Sequence, residues 1–268
     1  MPKLIICNWK QFPDSADQAE KFIEATIKSI KKEKLENFLK KNKMIVLAPF
    51  LYISNINQLL NNHKDIFEIG SQDVSKFNQG AFTGEISSKM LKSLNVKYVL
   101  IGHSERRLNF KESNQDINLK LINCLHYSLK PIICIGENTR SKTESSSSFR
   151  IKKIIFTQLN EIFQGVKPEK LKDIHLAYEP VWSISTTKDR QEADPEDIEN
   201  MILNIKFWLE NRFGTKIANQ IKVLYGGSIN KNNILGFKST IIKDGFLIGK
   251  ASTNTKELLL TIKQLTKF

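Results

Sequence analysis

The sequence shows little of what marks a secreted, membrane-spanning or redox protein. Its three cysteines, Cys7, Cys124 and Cys134, have neither CxxC nor metal-ligand spacing. An odd number of isolated cysteines predicts buried, reduced thiols, so we expect neither disulfides nor a metal site. No run approaches the roughly 18 apolar residues of a membrane span, and the N-terminal segment lacks the pattern of a signal peptide. We therefore expect a cytoplasmic protein with no membrane partner.

Linkers rich in glycine or proline are also missing. The one low-complexity segment is the serine run 145–148, which is short enough to be a surface loop. A chain of 268 residues with 40% hydrophobic content can bury one large core. We therefore expect residues 1–268 to form a single domain.

Acidic residues are few relative to basic ones. Lys and Arg number 41 and Asp and Glu 28, which gives a formal net charge of +13. Such an excess of positive charge suggests an anionic partner. The candidates are nucleic acid, a membrane surface and a phosphorylated substrate. The lysines are spread along the chain in ones and twos, without a zinc-finger, KH or RNP motif. We therefore expect no nucleic-acid partner.

What the sequence does contain is a regular alternation of two kinds of segment. Eight apolar runs have the length of strands: Leu4–Cys7, Ile45–Ala48, Ile66–Gly70, Tyr98–Ile101, Ile132–Ile135, Ile174–Tyr178, Ile221–Leu224 and Phe246–Ile248. Amphipathic segments of helical length lie between most of them, among them Ser15–Ile30, Glu112–Leu129, Arg150–Phe163 and Pro195–Phe213. This alternation predicts parallel strands joined by helices. Eight repeats favour an α/β fold with a closed (β/α)8 barrel, and an open doubly wound sheet is the alternative.

One acidic residue stands at the end of a predicted buried strand. In the stretch AYEPVWSIS, from Ala177 to Ser185, Glu179 follows the apolar run and Pro180 stops it. Apolar neighbours should raise the pKa of a carboxyl group, because they disfavour its charged form. A raised pKa is what a carboxylate needs to act as a base near neutral pH. A salt-bridged glutamate at a strand end is the alternative interpretation of this residue alone.

Other polar residues and glycines fall at corresponding places along the chain. They are Asn8 and Lys10 after the first strand, His103 and Glu105 after the fourth, Gly226, Gly227 and Ser228 after the seventh, and Gly249 after the eighth. In a (β/α)8 barrel the carboxyl ends of all strands meet at one mouth, where the chemistry of such folds takes place. The sequence therefore predicts an active site at this mouth.

Seven motifs in this order resemble the triosephosphate isomerase family. They are CNWK (7–10), GAFTGEIS (80–87), IGHSERR (101–107), CIGE (134–137), AYEPVW (177–182), YGGSI (225–229) and DGFLIG (244–249). The resemblance spans nearly the whole chain and implies a (β/α)8 TIM barrel. It also implies an isomerase that interconverts dihydroxyacetone phosphate and D-glyceraldehyde 3-phosphate through an enediolate, without a metal or an organic cofactor.

The resemblance implies a role for each matching residue. Glu179 is expected to move the proton between C1 and C2, with neutral His103 polarising the carbonyl, as the known mechanism of the family implies. Lys10 is expected to stabilise the enediolate, with Asn8 and Glu105 in support. The substrate's phosphate is expected to bind largely through backbone N–H groups. The residues expected to bind it are Ser185, Gly226, Gly227, Ser228, Gly249 and Lys250.

The resemblance further implies a homodimer. The stretch Gln72–Glu85 is similar to the loop that, in this family, inserts into the other subunit. Thr83 would then approach the partner subunit's Lys10 and the partner subunit's Asn8. An ordinary surface loop is the alternative, but Phe77 and Phe82 would be costly to leave in water.

Two departures from the family pattern keep alternative functions open. After Trp182 the family has alanine, isoleucine and Gly-Thr-Gly, whereas residues 183–187 here are SISTT, so both glycines of a hinge are missing. After Gly249 the family has a second glycine, and here Lys250 either adds charge near phosphate or points to solvent. The alternatives are an isomerase of a larger sugar phosphate, such as a ketotetrose phosphate, and a catalytically weak binding protein.

Overall fold

The chain closes into a barrel of eight parallel strands. In the computed structural model the described residues are 2–138, 146–184, 187, 191–239 and 241–267, and the side chains of 146–149 lie outside the description. The strands are β1 (Leu4–Asn8), β2 (Lys43–Ala48), β3 (Phe67–Ser71), β4 (Tyr98–Ile101), β5 (Lys130–Ile135), β6 (His175–Tyr178), β7 (Lys222–Tyr225) and β8 (Gly245–Ile248). Each strand pairs with the next, and β8 pairs with β1, so the sheet has no edge. The predicted (β/α)8 barrel is confirmed, and the open sheet is excluded.

Helices connect the strands on the outside of the barrel. Those in the described residues are α1 (Ala16–Lys32), α2 (Glu36–Lys41), α3 (Ile53–Leu60), α4 (Ser88–Ser93), α5 (Ser104–Asn109), α6 (Asn114–His126), α7 (Ser146–Ile162), α8 (Pro195–Phe213), α9 (Thr215–Ala218) and α10 (Thr255–Leu265). None of the described helices is both long and apolar enough to cross a membrane.

Local signals in the sequence place several helix ends. The side chain of Ser15 accepts a hydrogen bond from the backbone N–H of Gln18 and begins α1. Pro195 occupies the first turn of α8, where a missing N–H costs nothing, and Asp194 caps that turn. Gly214, with a φ of 81°, ends α8 in a conformation that favours glycine. The predicted bounds of α8 are confirmed.

The predicted helix Glu112–Leu129 is too long at both ends. Helix α6 begins at Asn114 because Ser113 and Asp116 form a reciprocal capping box. It ends at His126, and Ser128 has a φ of 55°, in the left-handed region that a helix cannot continue through. The pattern suggests a longer helix because Glu112 before it and Leu129 after it are also buried.

Glu112 belongs to a buried network of charges. Lys120, on α6, contacts Glu112 and also lies 2.6 Å from Asp73. Arg106, on α5, lies 2.9 Å from Asp73 and 3.3 Å from the same Glu112. Two acids and two bases thus balance each other, and they join the loop after β3 to helices α5 and α6.

The strands are buried on both faces. The side chains that face the barrel axis form a compact apolar cluster: Leu4, Ile6, Ile45, Leu47, Tyr98, Leu100, Ile132, Cys134, Ala177, Leu224 and Leu247. The alternate residues pack against the helices in a larger cluster. Burial on both faces explains why the sequence shows continuous apolar runs instead of an apolar–polar alternation.

The barrel interior becomes polar at the amino ends of the strands. His175 pairs in register with Ile132 and Lys222, and its ring stacks on Tyr98 with centroids 6.0 Å apart. Among the described residues no hydrogen-bond partner is found for its Nδ1. Burial, together with the positive charges of Lys222 and Lys130, lowers the pKa of His175 to about 3.

We expect His175 to make the fold sensitive to acid. Because its folded pKa of about 3 lies below the value of about 6.5 in an unfolded chain, the unfolded chain binds the proton more tightly. The free energy of unfolding should therefore fall as pH drops from about 6.5 toward about 3, by on the order of 2 kcal/mol at about pH 5.

Urea denaturation of the wild type and of His175→Gln at about pH 7.5 and about pH 5 checks this expectation. The variant should lose less stability on acidification than the wild type. The exposed His126, changed to Gln, serves as a control and should keep the wild-type pH dependence. Equal pH dependence in the wild type and His175→Gln would contradict the prediction.

Candidate active site

A pocket at the carboxyl ends of the strands brings the predicted residues together. It is lined by Asn8, Lys10, His103, Glu179, Ile184, Gly226, Gly227, Ser228, Ile229, Leu247, Gly249 and Lys250. Nine of these residues were predicted from sequence. Ser185, also predicted, lies outside the described residues. Glu105 reaches the site through Lys10, and Thr83 does not line the pocket of its own chain.

Glu179 occupies a nearly water-free position at the end of β6. It is 2% exposed, and its backbone N–H donates to the carbonyl oxygen of Ile135 over 2.8 Å, which extends the barrel by one residue. Its Oε1 lies 3.4 Å from His103 Nε2, and its Oε2 accepts from the Ser104 backbone N–H at 3.4 Å. The carboxylate therefore faces the pocket with two donors near it.

Two glycines make room for Glu179. A Cβ on Gly136 would lie 1.9 Å from the carbonyl oxygen of Glu179, and a Cβ on Gly226 would lie 2.7 Å from its Cγ. The N–H of Gly226 already donates to the carbonyl oxygen of Tyr178 over 2.8 Å. Gly226 therefore supplies space beside the carboxylate, whereas the sequence suggested a phosphate-binding donor.

His103 is held as a neutral ring that presents a donor to the pocket. It precedes the first residue of α5, and its Nδ1 accepts a hydrogen bond from the backbone N–H of Glu105 at 3.2 Å. A nitrogen that accepts carries no proton, so the proton of the neutral ring lies on Nε2. That Nε2 is the atom nearest Glu179, so the ring is oriented to donate to a ligand oxygen in the pocket.

Lys10 reaches the pocket from a strained backbone. Its φ of 55° is unusual for a residue with a side chain, and its N–H donates to Asn8 Oδ1 at 3.1 Å. Its Nζ lies 2.5 Å from Glu105 Oε1. The ammonium is therefore fixed by an acidic partner, which positions it and balances its charge.

The residues after β7 and β8 form the opposite wall of the pocket. A Cβ on Gly227 would lie 2.1 Å from the hydroxyl oxygen of Tyr225, so the close approach of these residues requires glycine. Lys250 is exposed and begins a short 3₁₀ turn, Lys250–Thr253, directly after Gly249. Glycine, Ser228 and a lysine together make this wall suited to an anionic group.

Sequence reasoning missed the residues that support the site from behind. Glu137 is 2% exposed and accepts hydrogen bonds from the Trp182 indole at 2.7 Å and from the Tyr178 hydroxyl at 3.1 Å. Burial raises the pKa of Glu137 despite these donors. Arg107 donates to the carbonyl oxygens of Gly102 at 2.8 Å and Cys134 at 3.2 Å.

These supporting residues hold the segments that carry His103 and Glu179. Both Glu137 and Arg107 lie in motifs that the sequence displays, CIGE and IGHSERR, but their partners are 5 to 45 residues away.

Burial and the nearby Glu179 carboxylate raise the pKa of Cys134 well above its ordinary value, so this thiol stays protonated. Within the described residues, no group of three or more His, Cys, Asp or Glu is placed to hold a metal ion.

Comparison with known proteins agrees with this geometry. The family model for triosephosphate isomerase matches residues 3–265. A triosephosphate isomerase of Caldanaerobacter subterraneus subsp. tengcongensis is 34% identical over 249 residues, which are 93% of this chain and 94% of that protein. One from Dictyoglomus thermophilum is 34% identical, with 97% of this chain and 98% of that protein covered, and one from Aster yellows witches'-broom phytoplasma is 34% identical, with 96% and 88% covered. The chain is a member of the triosephosphate isomerase family.

Proposed function

We propose that this protein interconverts dihydroxyacetone phosphate and D-glyceraldehyde 3-phosphate. The observation that carries the proposal is the convergence of a buried carboxylate, a neutral imidazole N–H and an ammonium on one pocket, formed by Glu179, His103 and Lys10. The names of the relatives agree with a triose substrate. They favour it over the larger sugar phosphate, and the complete set of three groups argues against a protein that only binds.

The proposed reaction moves one proton between two carbons and one proton between two oxygens. Glu179 takes a proton from C1 of the ketose. The electron pair of that C–H bond forms a double bond between C1 and C2, and the carbonyl oxygen on C2 becomes negatively charged. His103 donates from Nε2 to that oxygen, and Lys10 stabilises its charge. The protonated Glu179 then returns the proton to C2. The C1 hydroxyl gives its proton to His103 Nε2, which replaces the proton donated to the other oxygen, so C1 becomes the aldehyde and C2 carries the hydroxyl. No electrons leave the substrate, so proton transfer alone completes the isomerisation.

We assign the substrate's phosphate to the wall formed after β7 and β8. Gly227, Ser228 and Gly249 line the pocket there, and Ser185 is proposed to contribute its backbone N–H. Lys250 is exposed at the rim and adds a positive charge near the dianion, an attraction that salt screens. A backbone-lined wall suits phosphate because its donors are fixed before the substrate arrives.

The remaining features of the molecule are proposed on the same basis. We propose one domain, 1–268, in the cytoplasm, acting without a metal or organic cofactor. We also propose that it binds neither nucleic acid nor membranes. A phosphorylated substrate is an anionic partner that suits the net charge of +13. The enediolate chemistry needs only proton donors and acceptors, which side chains supply.

We further propose that the protein is a homodimer. Large hydrophobic side chains are exposed on the loops after β2 and β3, where Leu51 is 81% exposed and Phe82 is 40% exposed. Phe82 stacks on Phe77 with ring centroids 3.8 Å apart, so two aromatic rings form one apolar face. Thr83 stands beside this face. Burial of the face by a second copy would remove it from water and bring the loop to the partner's pocket.

Replacement of the proposed base should reduce turnover strongly. Glu179→Gln keeps the shape of the side chain and removes the proton acceptor, so kcat should fall by about 10²- to 10⁴-fold with a much smaller change in KM. A coupled assay with D-glyceraldehyde 3-phosphate measures both constants. Glu179→Asp keeps a carboxylate at a greater distance and should lie between the two. Turnover of Glu179→Gln near the wild-type value would refute the assignment.

A methyl group on Gly226 should displace the base without breaking the barrel. The added Cβ would lie 2.7 Å from Glu179 Cγ, so Gly226→Ala should lower kcat by about 10-fold or more, since catalysis is sensitive to small misplacements. Gly236→Ala is a matched control because its Cβ would meet no atom nearer than 3.8 Å. If both variants keep wild-type kcat, the steric role of Gly226 is wrong.

A charge on the apolar loop should prevent assembly. Phe82→Asp places an unpaired carboxylate in the proposed interface, so we expect monomers with poor activity. Light scattering gives the mass and the coupled assay the activity. Phe207→Asp is the control, because Phe207 is 62% exposed on α8, away from the loop. An active, intact dimer for Phe82→Asp would reject this interface.

A further inference from the structure

One side chain takes the place of a strand beside the end of β5. Strand β4 ends at Ile101, which pairs with Ile133, so β5 and the residue after it, Gly136, extend past the end of β4. Gln158, on α7, lies beside this extension. Its Oε1 accepts from the backbone N–H of Gly136 over 3.0 Å, and its Nε2 donates to the Gly136 carbonyl oxygen over 2.8 Å. One amide thus binds both backbone groups of Gly136, as a neighbouring parallel strand would.

The other edge of the same segment carries Glu179. The backbone N–H of Glu179 donates to the carbonyl oxygen of Ile135 over 2.8 Å, and that of Val181 donates to Glu137 over 2.9 Å. These two acceptors come directly before and directly after Gly136 in the chain. A Cβ on Gly136 would lie 1.9 Å from the carbonyl oxygen of Glu179 and 2.7 Å from its carbonyl carbon. A shift of the Gly136 peptide is therefore passed on to the backbone of Glu179.

We propose that Gln158 is a positioning residue that holds the Glu179 carboxylate in place through Gly136. The inference rests on the proposed isomerase function, because its consequence for catalysis requires Glu179 to be the base. Gln158 is half-buried and is not one of the residues that line the pocket, so it acts on Gly136 and not on the substrate. Reacting groups must be held to within about 0.5 Å, a precision that depends on such supporting contacts.

The contact suits both residues that make it. A backbone N–H only donates and a carbonyl oxygen only accepts, so one orientation of the Gln158 amide satisfies both groups of Gly136. Glycine has no side chain that packing could locate, so its backbone hydrogen bonds fix its position. The two edges of the segment therefore work together, because Gln158 holds Gly136 from one side while Glu179 rests on the other.

Removal of the amide should lower turnover without weakening substrate binding. Gln158→Met keeps the length of the side chain and loses both polar atoms. With D-glyceraldehyde 3-phosphate as substrate, kcat should fall by about 10-fold, because two hydrogen bonds are lost and catalysis is sensitive to small misplacements. KM should stay within about 2-fold of wild type. Asn160→Met is the matched control, since Asn160 is exposed on the same helix, and both constants should be unchanged.

A second variant reverses only one of the two contacts. Gln158→Glu keeps an acceptor for the Gly136 N–H but turns a carboxylate oxygen toward the Gly136 carbonyl oxygen, where no donor remains. At about pH 8 its kcat should fall at least as far as that of Gln158→Met, since two facing acceptors repel each other. Asn160→Glu adds the same charge at an exposed place and should keep the wild-type kcat.

Crystal structures give a readout that needs no activity. In Gln158→Met the Glu179 carboxylate should lie about 0.5 Å or more from its wild-type position, whereas in Asn160→Met it should not move. Gly136 is half-buried, so water can replace part of the lost hydrogen bonding, and thermal unfolding should stay close to wild type. If the wild type fails to isomerise the substrate, the proposed function falls, and the displacement alone decides whether Gln158 positions Glu179.

The proposal requires the displacement and the loss of turnover together. Unchanged kcat in both Gln158 variants of an active enzyme would overturn it, because the contact would then be irrelevant to catalysis. A fall in kcat with Glu179 in its wild-type position would also overturn it, since the effect would not come from positioning. A raised KM with wild-type kcat would do the same, because Gln158 would then affect substrate binding.

Discussion

The site depends on keeping one carboxylate out of water while leaving it free to meet a substrate. Glu179 is 2% exposed, and it has room because Gly136 and Gly226 lie where a Cβ would clash with it. A bulkier neighbour would move the carboxylate, and a wetter site would weaken every interaction around it. The glycines that follow β5 and β7, the two strands beside β6, thus leave the space that the carboxylate needs.

The charges around that carboxylate are arranged in a chain of contacts. Lys10 is paired with Glu105, the backbone N–H of Glu105 fixes the tautomer of His103, and His103 Nε2 faces Glu179. Each residue in this chain orients the next one, so the His103 N–H donor and the Lys10 ammonium are in place before a substrate binds. Such preorganisation avoids the cost of rearranging dipoles during the reaction. The strained backbone of Lys10 is consistent with a position that the fold imposes.

The sequence predicts the place of this site better than its internal contacts. Apolar runs identify the strands, and a closed parallel barrel necessarily brings their carboxyl ends to one mouth, so the place of Glu179 at that mouth is predicted without knowledge of its neighbours. The steric role of Gly226 was missed because it depends on the distance between adjacent strands. Glu137 was missed as a support because its partner Trp182 is 45 residues away. The end of α6 was misplaced because burial continues beyond the turn made by Ser128.

The buried charge network beneath the loop after β3 limits how this sequence can change over time. Arg106 and Lys120 each contact both Asp73 and Glu112, so loss of any one member leaves a buried charge without its balance. Such single losses are strongly destabilising, whereas replacement of a whole buried ionic cluster by apolar residues is often neutral. Neutral drift through single substitutions is therefore blocked at these positions. Descendants of this sequence should keep all four residues or exchange them together.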